Sequence, residues 1–397
     1  MHSDVITGTD MNKVAVTESN GHKNRMQKVL FVIDTLQTGG AEQSLFANVI
    51  RFKNIHPVVC HLYAGDLLKK RFTDHGVPVY SVGLKKKYGF VQAYKQLKAI
   101  VQKEQPDIIV AYLTRSELVA RLVGRFNNIP VLGTFVSELY SDNYNTALSV
   151  KAKMAVSFFK WANKTTARFC KGFIANSEVV KQSNARALGI DLNKIEVINR
   201  GRDSKEFRFH VPQTVPGKPL RFLNVGRLVP VKGQRDLILA FNEFLPACPH
   251  AVLHIAGEGP ARETLSALIN ELGLQSSVVL LGSRNDIPQL INEYDCFVFP
   301  SHSEGFSGAI VEAMFAGLPV LASDIPVNKE VITHLETGYF FETGSVQSLM
   351  QALLWYKENI PFANTLAANA NEHARQNFEL EKIAEKLENY LLNMIIA

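Results

Sequence analysis

The chain has 397 residues, of which 46% are hydrophobic and 20% are charged, and its formal net charge at pH 7 is +6. This length and composition indicate a globular protein with room for two domains, and the modest positive charge fits anionic partners such as phosphates, nucleic acid or an acidic membrane surface. The four cysteines are scattered without a CxxC pair, which argues against a disulfide framework or a zinc site and indicates a reducing compartment.

The N-terminal residues 1–25 are polar and contain no apolar core of the kind that a signal peptide needs. We expect a disordered tail there, with the first strand beginning after Met26. No run of eighteen apolar residues occurs, so the sequence predicts no membrane-spanning helix. These features predict a cytoplasmic protein, placed in the cytosol or at the cytoplasmic face of the membrane.

Short apolar runs alternate with amphipathic stretches through the first half of the chain, which predicts one doubly wound α/β domain over residues 26–203. The predicted strands are Val29–Ile33, Val58–Tyr63, Val79–Val82, Ile108–Ala111, Val131–Thr134, Ile174–Asn176 and Ile195–Ile198. The predicted helices run from Ala41 to about Phe52 and over 89–104, 116–127 and 149–170. Gly39 and Gly40 follow the first strand, where glycines form a tight turn or leave room for a ligand beside the backbone.

The segment 149–171 interleaves basic and aromatic residues. Such a helix suits a membrane interface, with Phe158, Phe159 and Trp161 in the apolar layer and the lysines toward anionic lipid. The alternative is a helix that packs its aromatic side chains on the sheet. A basic and aromatic surface also suits nucleic acid, but no recognisable DNA- or RNA-binding module accompanies it, so we expect no nucleic-acid partner.

A proline-rich stretch over Asp203–Pro219 predicts the boundary between two domains. The second half again alternates strands and helices, which predicts a second domain over 204–377 and a last segment, 378–397, that is mostly one helix. The predicted strands are Arg221–Val225, Val252–Ala256, Val278–Leu281, Cys296–Phe299, Leu318–Ala322 and Gly338–Phe341. The predicted helices are 234–245, 308–316, 345–358, 362–376 and 379–394, with another helix start near Asn328.

Two carboxylates stand out in the stretch Tyr294–Asp324, which combines a strand, a polar loop, a helix and a second strand. Glu304 lies in the loop and Glu312 lies inside the helix. Two isolated acids are usually a helix cap and a solvated side chain, but the small residues between them leave space close to the backbone. The positive end of the helix suits an anion such as a diphosphate, and flanking carboxylates suit the hydroxyl groups of a sugar nucleotide. The amides that would face the anion belong to Phe306, Ser307 and Gly308.

This stretch resembles the donor-site signature of the retaining glycosyltransferases of family 4, which have the GT-B fold. The signature is a pair of glutamates spaced E-x(7)-E, with EGF before the helix and GxPV after it. It stands here as Glu304-Gly305-Phe306, Glu312-Ala313-Met314 and Gly317-Leu318-Pro319-Val320. The resemblance runs from about Met26 to the end of the chain. It implies two doubly wound, Rossmann-like domains facing a deep cleft, with 378–397 crossing back as a helix onto the first domain.

The resemblance also implies which residues form the donor site. Gly39 and Gly40 match a glycine loop in the family's first domain, and Arg227 and Lys232 match its GR...KG element, placed to neutralise a diphosphate leaving group. Glu304, Arg227 and Lys232 are therefore the expected catalytic residues. The other expected donor-binding residues are Arg284, Gly305, Phe306, Ser307, Gly308 and Glu312.

Two places depart from the family pattern. The family carries a histidine in the loop after the strand 131–134, but the sequence here is Gly133–Glu138, and Glu138 is the residue placed to meet an acceptor. The loop Asn199–Asp203 has Arg200 and Arg202 where the family has an NGVD-like sequence, and the sequence assigns these arginines no role.

The expected activity is retaining transfer of a hexose from a nucleotide-diphosphate sugar, with UDP favoured over GDP, to a hydroxyl acceptor. The expected acceptor is a glycan or lipid-linked glycan in polysaccharide or glycoconjugate synthesis. No DxD sequence is present, so we expect no metal and no other cofactor. The alternatives are a sugar-nucleotide epimerase or hydrolase on the same fold and a non-catalytic sugar-nucleotide-binding protein. A Rossmann oxidoreductase is disfavoured because Arg262 replaces the third glycine of the Gly257 loop.

Overall fold

The computed structural model describes residues 25–85, 89–140, 150–212 and 217–396, so the predicted tail lies almost wholly outside the described residues. Within these ranges the first sheet has seven parallel strands in the order β3-β2-β1-β4-β5-β6-β7. The strands are β1 (Gln27–Ile33), β2 (Ile55–Tyr63), β3 (Val79–Leu84), β4 (Ile108–Tyr112), β5 (Val131–Phe135), β6 (Gly172–Ala175) and β7 (Ile195–Val197).

The central strands of this sheet are continuous apolar runs because helices cover both of its faces. Val29–Ile33 of β1 is fully buried, and every residue of β4 and β5 is buried. The covering helices are α1 (Gly40–Val49), α2 (Lys69–Asp74), α3 (Phe90–Glu104), α4 (Thr114–Asn127), α5 (Val150–Thr166) and α6 (Glu178–Leu188). Helices α1 and α2 lie on one face, and α3 to α6 lie on the other.

The second sheet has six described strands, also parallel, in the order β10-β9-β8-β11-β12-β13. They are β8 (Arg221–Val225), β9 (Val252–Ala256), β10 (Val278–Gly282), β11 (Cys296–Phe299), β12 (Val320–Ser323) and β13 (Tyr339–Phe341). Its helices are α7 (Gln234–Phe244), α8 (Arg262–Glu271), α9 (Ile287–Leu290), α10 (Gly308–Ala316), α11 (Pro326–Lys329), α12 (Val346–Glu358) and α13 (Ile360–Asn377). In both sheets the strand order reverses beside the first strand, which opens a crevice at the carboxyl ends of the strands.

The last helix, α14 (Leu380–Ile396), returns to the first domain, which confirms the predicted crossing. Ile383, Leu387 and Leu391 pack in the same core as α1 and β1. The buried Glu388 carboxylate accepts hydrogen bonds from the amides of three consecutive residues, the last two of the loop before β2 and the first of β2, with its Oε1 atom 2.5–3.0 Å from their nitrogens. The chain terminus is therefore an integral part of the first domain.

Four helices of four residues or more were absent from the prediction: α2, α6, α8 and α9. Ser177 caps α6 by accepting a hydrogen bond from the Val180 amide, so a cap signal was present in the sequence. Helix α2 is only one and a half turns long and buries one residue, Phe72, so its periodicity is too short to stand out. The predicted helix over 149–170 ends earlier, at Thr166, because a 3-10 turn over Ala167–Phe169 follows it.

Candidate functional site

The two domains meet across the crevice formed by the loops at the carboxyl ends of both sheets. Gly305 of the second domain lies directly against the first domain, because a Cβ atom there would be 2.0 Å from the Val136 carbonyl oxygen. Glu330 also crosses the crevice, and its carboxylate accepts hydrogen bonds from the amides of Glu178 and Val179 at 2.8 and 2.7 Å. These contacts place the loop before α10 opposite the loop after β5.

Lys232 and Glu304 form an ion pair on the second-domain side of this crevice, next to Gly305, with 2.5 Å between Nζ and Oε1. The local backbone explains why the two side chains lie together. Gly233 adopts a φ of 68° and lies so close to Pro300 that a Cβ would be 2.1 Å from the Pro300 carbonyl oxygen. Only glycine fits this approach, and it brings Lys232 beside the loop that carries Glu304.

Arg227, the other predicted cation, lies at the carboxyl end of β8. Its side chain is exposed, and within the described part of the chain it has no hydrogen-bond or ion-pair partner. A guanidinium without a partner at the mouth of the crevice is available to an anionic ligand.

Glu312 is held by Arg202, one of the two arginines to which the sequence assigned no role. The Arg202 Nε atom donates to Glu312 Oε1 at 2.6 Å, across 110 positions of sequence. The same guanidinium lies over the first turn of α10, because a Cβ built on Gly308 would be 2.1 Å from its Nη2 atom. Arg202 therefore stands between the predicted diphosphate position and the predicted ribose carboxylate.

The second unassigned arginine, Arg200, lies beside the glycine loop of the first domain. A Cβ at Gly40 would be 2.9 Å from its Nη1 atom, and a Cβ at Gly39 would be 2.4 Å from Oε2 of Glu42. Burial, assisted by the charge of Arg202, lowers the pKa of Arg200 to about 10, and Glu304 opposes that shift. The glycine pair thus makes room for side chains of the crevice as well as forming the turn.

The first residues around α10 contribute through their backbone rather than their side chains. The Ser307 hydroxyl donates to Asn328 Oδ1 within the second domain, and the Phe306 ring is buried against Phe378. The Gly308 amide already donates to the Phe306 carbonyl oxygen at 3.0 Å. The Phe306 and Ser307 amides make no backbone hydrogen bond among the described residues, so they are the ones open to a ligand.

A cavity of about 760 Å³ lies beside Glu312 of α10 and extends along the crevice. Residues from both domains line it, among them Gly40, Arg51, Arg71, His75, Arg202, Asn285, Ile287, Pro288 and Glu312. Arg284, which was expected to bind the donor, is not among the lining residues, since it pairs with Asp286 at the surface. Its neighbour Asn285 faces the cavity instead, because successive residues of an extended loop point in different directions.

A second cavity, of about 510 Å³, lies in the first domain between β5, α4 and α5. Its inner end is polar and its outer wall is apolar, and its lining includes Asp34, Glu117, Thr134, Ser137, Leu139, Tyr140, Ala155, Val156, Phe159 and Asn163. Glu138, the expected acceptor residue, is not part of this lining although Ser137 and Leu139 are. Its side chain bonds to Ser183 instead, and burial raises the pKa of the Glu138 carboxyl group.

A buried ion pair supports the floor of this second cavity. Arg121 and Glu117 are both buried, and they lie 2.6 Å apart on consecutive turns of α4. Arg121 also donates to the Asn163 side chain of α5 at 2.7 Å, and Glu117 accepts from the Thr134 amide at 2.8 Å. This network fixes α4, α5 and β5 relative to one another.

Two further observations concern metals and membranes. No group of three or more His, Cys, Asp or Glu side chains suited to a metal ion occurs in residues 25–85, 89–140, 150–212 and 217–396. Over the same ranges, no helix combines the length and the apolar character needed to cross a bilayer.

Sequence reasoning missed Arg200, Arg202 and Glu330 as residues of the crevice. Arg200 and Arg202 follow β7, and loops at the carboxyl ends of parallel strands all face the same crevice. That rule was a usable signal for the two arginines. Nothing comparable marks Glu330, whose partners are backbone amides of the other domain.

Comparison with known protein families matches both halves of the chain to glycosyltransferase profiles. The sequence profile described as "Glycosyltransferase Family 4" matches residues 39–206, and the one described as "Glycosyl transferases group 1" matches residues 205–373. An Escherichia coli relative, UDP-Gal:alpha-D-GlcNAc-diphosphoundecaprenol alpha-1,3-galactosyltransferase, is 26% identical over 77% of this chain and 79% of its own length.

A second relative is the poly(ribitol-phosphate) alpha-N-acetylglucosaminyltransferase of Staphylococcus aureus, which is 27% identical over 41% of this chain and 33% of its own length. The crystal structure of Anabaena HepE in complex with UDP-glucose superposes with a TM-score of 0.79 and 23% identity. That superposition covers 92% of this chain and 99% of HepE.

Proposed function

We propose that this chain, which belongs to the family 4 glycosyltransferases of the GT-B fold, moves a hexose from a nucleotide-diphosphate sugar to a hydroxyl acceptor with retention at the anomeric carbon. That the chain is a glycosyltransferase follows from the two family profiles, which together span residues 39–373. The main support for the proposed donor site is a pair of ion pairs along one crevice, Lys232 with Glu304 and Arg202 with Glu312.

UDP is the nucleotide that we propose for the donor. The Escherichia coli relative is named for a UDP-Gal donor, and HepE has a structure with UDP-glucose. GDP remains the second candidate, because the lining near Asn285, Ile287 and Pro288 offers both polar and apolar contacts to a base.

The leaving diphosphate would be stabilised by Arg227, Lys232 and the free amides before α10. Arg227 has no competing partner among the described residues, and Lys232 needs only to shift its ammonium group from Glu304. A preorganised donor at developing charge contributes about 3–4 kcal/mol to catalysis. Glu304 would then face the sugar, where its negative charge responds to positive charge at the anomeric carbon. Departure and attack on the same face would give retention, with the diphosphate oxygen helping to deprotonate the acceptor hydroxyl.

The acceptor would bind in the first domain, in the cavity between β5, α4 and α5. Hydroxyl-binding groups at its inner end and apolar side chains at its outer wall suit a glycan joined to a hydrophobic carrier. The Escherichia coli relative is named for a diphosphoundecaprenol-linked acceptor, and the Staphylococcus aureus relative for a poly(ribitol-phosphate) acceptor. We therefore propose a glycan or lipid-linked glycan in polysaccharide or glycoconjugate synthesis.

Helix α5 is the part of the chain that we propose to touch the membrane, at its cytoplasmic face. Its outer surface exposes Met154, Phe158 and Trp161 at 69%, 56% and 63%. Lys153 and Lys160 on the same helix are exposed as well. Apolar side chains flanked by lysines suit the interface of an anionic bilayer, and Phe159 on the inner side lines the acceptor cavity. The alternative interpretation required the aromatic residues of this helix to pack on the sheet, but Phe158 and Trp161 are exposed.

The proposed function is tested by a thermal-shift panel of UDP-, GDP-, ADP- and CMP-sugars, followed by transfer assays with the donor that stabilises the protein. We expect stabilisation by a UDP-sugar, and a product with an α linkage when the donor is α-linked and an undecaprenol-linked glycan is supplied. Release of free sugar without an acceptor would favour a hydrolase, and an isomerised donor would favour an epimerase. A product with an inverted linkage would overturn the retaining mechanism.

Membrane contact is tested separately by co-sedimentation with vesicles of phosphatidylglycerol and phosphatidylcholine. The wild-type protein should sediment with anionic vesicles, and a Phe158→Ser, Trp161→Ser variant should remain in the supernatant. Equal sedimentation of both proteins would contradict the role given to α5.

A further inference from the structure

Arg202 holds a position in the crevice that is electrostatically unfavourable without a compensating anion. Its guanidinium lies over Gly308 in the first turn of α10, at the positive end of the helix dipole. It also lies close enough to Arg200 that the two positive charges oppose one another. The ion pair with Glu312, at 2.6 Å, is the contact that offsets both repulsions.

The backbone of Arg202 is fixed while its side chain is only partly buried. Its amide donates to the Phe378 carbonyl oxygen and its carbonyl oxygen accepts from the Leu380 amide, both at 2.9 Å, so the residue is tied to the crossing into α14. The side chain is 28% exposed and Glu312 is 20% exposed, on the wall of the 760 Å³ cavity. A fixed backbone with a solvent-accessible side chain allows the guanidinium to change partner without a change of fold.

We propose that Arg202 is a donor-responsive positioning residue: it neutralises Glu312 in the free protein and transfers to the donor's diphosphate when the donor binds, which releases Glu312 to the ribose hydroxyls. This inference rests on the proposed donor site. A guanidinium matches a diphosphate through paired hydrogen bonds, and the diphosphate carries more negative charge than Glu312. A nucleoside lacks that charge and must compete with Arg202 for Glu312.

The exchange predicts effects of opposite sign on a nucleoside and on its diphosphate. Removing the guanidinium frees Glu312, so a nucleoside should bind more tightly. The same change removes a charge-assisted contact to phosphate, so the diphosphate should bind more weakly. A purely structural ion pair would weaken both ligands together, because loss of the fold or of domain contact affects every part of the site.

The experiment is titration of UDP and competition by uridine in wild-type protein, Arg202→Met and Arg202→Lys, with GDP and guanosine as a second pair. For Arg202→Met we expect UDP to bind about tenfold more weakly and uridine to bind a few-fold more tightly. Arg202→Lys keeps the charge but loses the planar fork, so its UDP affinity should lie between those of the wild type and Arg202→Met.

Arg208→Met is the matched control, because Arg208 lies on the same segment, is exposed and has no polar side-chain partner among the described residues. It should leave both affinities unchanged. If the wild type binds neither UDP nor GDP, the proposed donor site fails and the inference fails with it. If the wild type binds one of them but Arg202→Met and Arg202→Lys shift nucleoside and diphosphate in the same direction, the donor site stands and the exchange is refuted.

Discussion

Glu304 and Glu312 flank the same helix N-terminus but are paired with cations from different domains. Lys232, the partner of Glu304, belongs to the second domain, whereas Arg202, the partner of Glu312, comes from the first. Glu312 is one turn inside α10 and lines the cavity that also includes Asn285, the proposed nucleoside side. Glu304 precedes the helix, close to the contact of Gly305 with the first domain.

This separation predicts different kinetic defects for the two carboxylates. A carboxylate on the ribose binds ground state and transition state alike, so Glu312→Gln should raise KM for the donor about tenfold with little change in kcat. A carboxylate on the sugar responds to developing charge, so Glu304→Gln should lower kcat about a hundredfold and leave free UDP binding nearly unchanged. Steady-state kinetics and calorimetry with UDP measure both effects. Equal losses of UDP affinity in the two variants would contradict this division.

A second prediction concerns the two cations Lys232 and Arg227. Lys232→Ala or Arg227→Ala should lower kcat about a hundredfold, since each removes a positive charge that we propose stabilises the leaving diphosphate. Thermal unfolding should stay close to wild type for Arg227→Ala, because Arg227 is exposed and unpaired within the described residues. Wild-type turnover at saturating donor in either variant would rule out its role. Arg235→Ala, a nearby exposed arginine, serves as the control.

At the scale of elements, α14 shows how the end of the chain stabilises the beginning. Its apolar side chains fill the core beside α1, and Glu388 accepts the amides of Lys53, Asn54 and Ile55. These amides span the junction of the loop with β2 and share one carboxylate oxygen as their acceptor. The contact joins residues more than 330 positions apart in sequence.

Glu388→Ala should therefore destabilise the first domain by about 3 kcal/mol, because it leaves the buried Ile55 amide and two part-buried amides without their acceptor. Glu388→Gln should cost less, since its side-chain carbonyl oxygen still accepts a hydrogen bond. Denaturant unfolding measures the difference. Glu385→Ala, exposed on the same helix, should be within about 0.5 kcal/mol of wild type. A comparable loss in the Glu385 variant would show that the helix, not the carboxylate contact, is responsible.

At the scale of the whole molecule, the two domains touch through a few directed contacts around the crevice. Glu330 binds the N-terminal amides of α6, where the helix dipole favours a negative charge. Gly305 lies against Val136, and Arg202 reaches Glu312. Contacts of this kind are small enough to form and break as ligands enter and leave.

Glu330→Ala should favour a more open arrangement, since it removes about 1–2 kcal/mol of capping interaction between the domains. Small-angle X-ray scattering should show a larger radius of gyration, and KM for the donor should rise several-fold. Glu336→Ala, whose side chain is exposed on the same domain, provides the comparison. An unchanged radius and KM in the Glu330 variant would show that its contact does not hold the domains together.

Charge neutralisation by arginine and lysine also predicts that the whole enzyme works without a divalent metal. Treatment with EDTA should leave most of the transfer activity, because in the proposed site cations of the chain, rather than a bound ion, neutralise the diphosphate. The measurement compares turnover before and after chelation, and after adding manganese or magnesium. Activity that disappears with EDTA and returns with either metal would refute this account of the leaving group.

The sequence by itself determined the order of the strands, most of the helices and the location of the donor signature. Predicted bounds match the structure at Val252–Ala256, Cys296–Phe299 and Gly308–Ala316. Apolar runs, glycine caps and helix formers act between residues a few positions apart, so a linear pattern carries them. The placement of Lys232 beside Glu304 was also implied, because both belong to motifs at the carboxyl ends of neighbouring strands.

Only the tertiary structure decided which side chains meet across the crevice. Arg202 joins Glu312 and Glu330 caps α6, while Arg284 and Glu138 bond to partners within their own domains and do not line the two cavities. These outcomes depend on the relative position of two domains and on the direction of single side chains in loops. A periodic pattern in the sequence predicts neither the domain arrangement nor the side-chain directions. The residues that meet across the crevice are more than a hundred positions apart and share no local constraint.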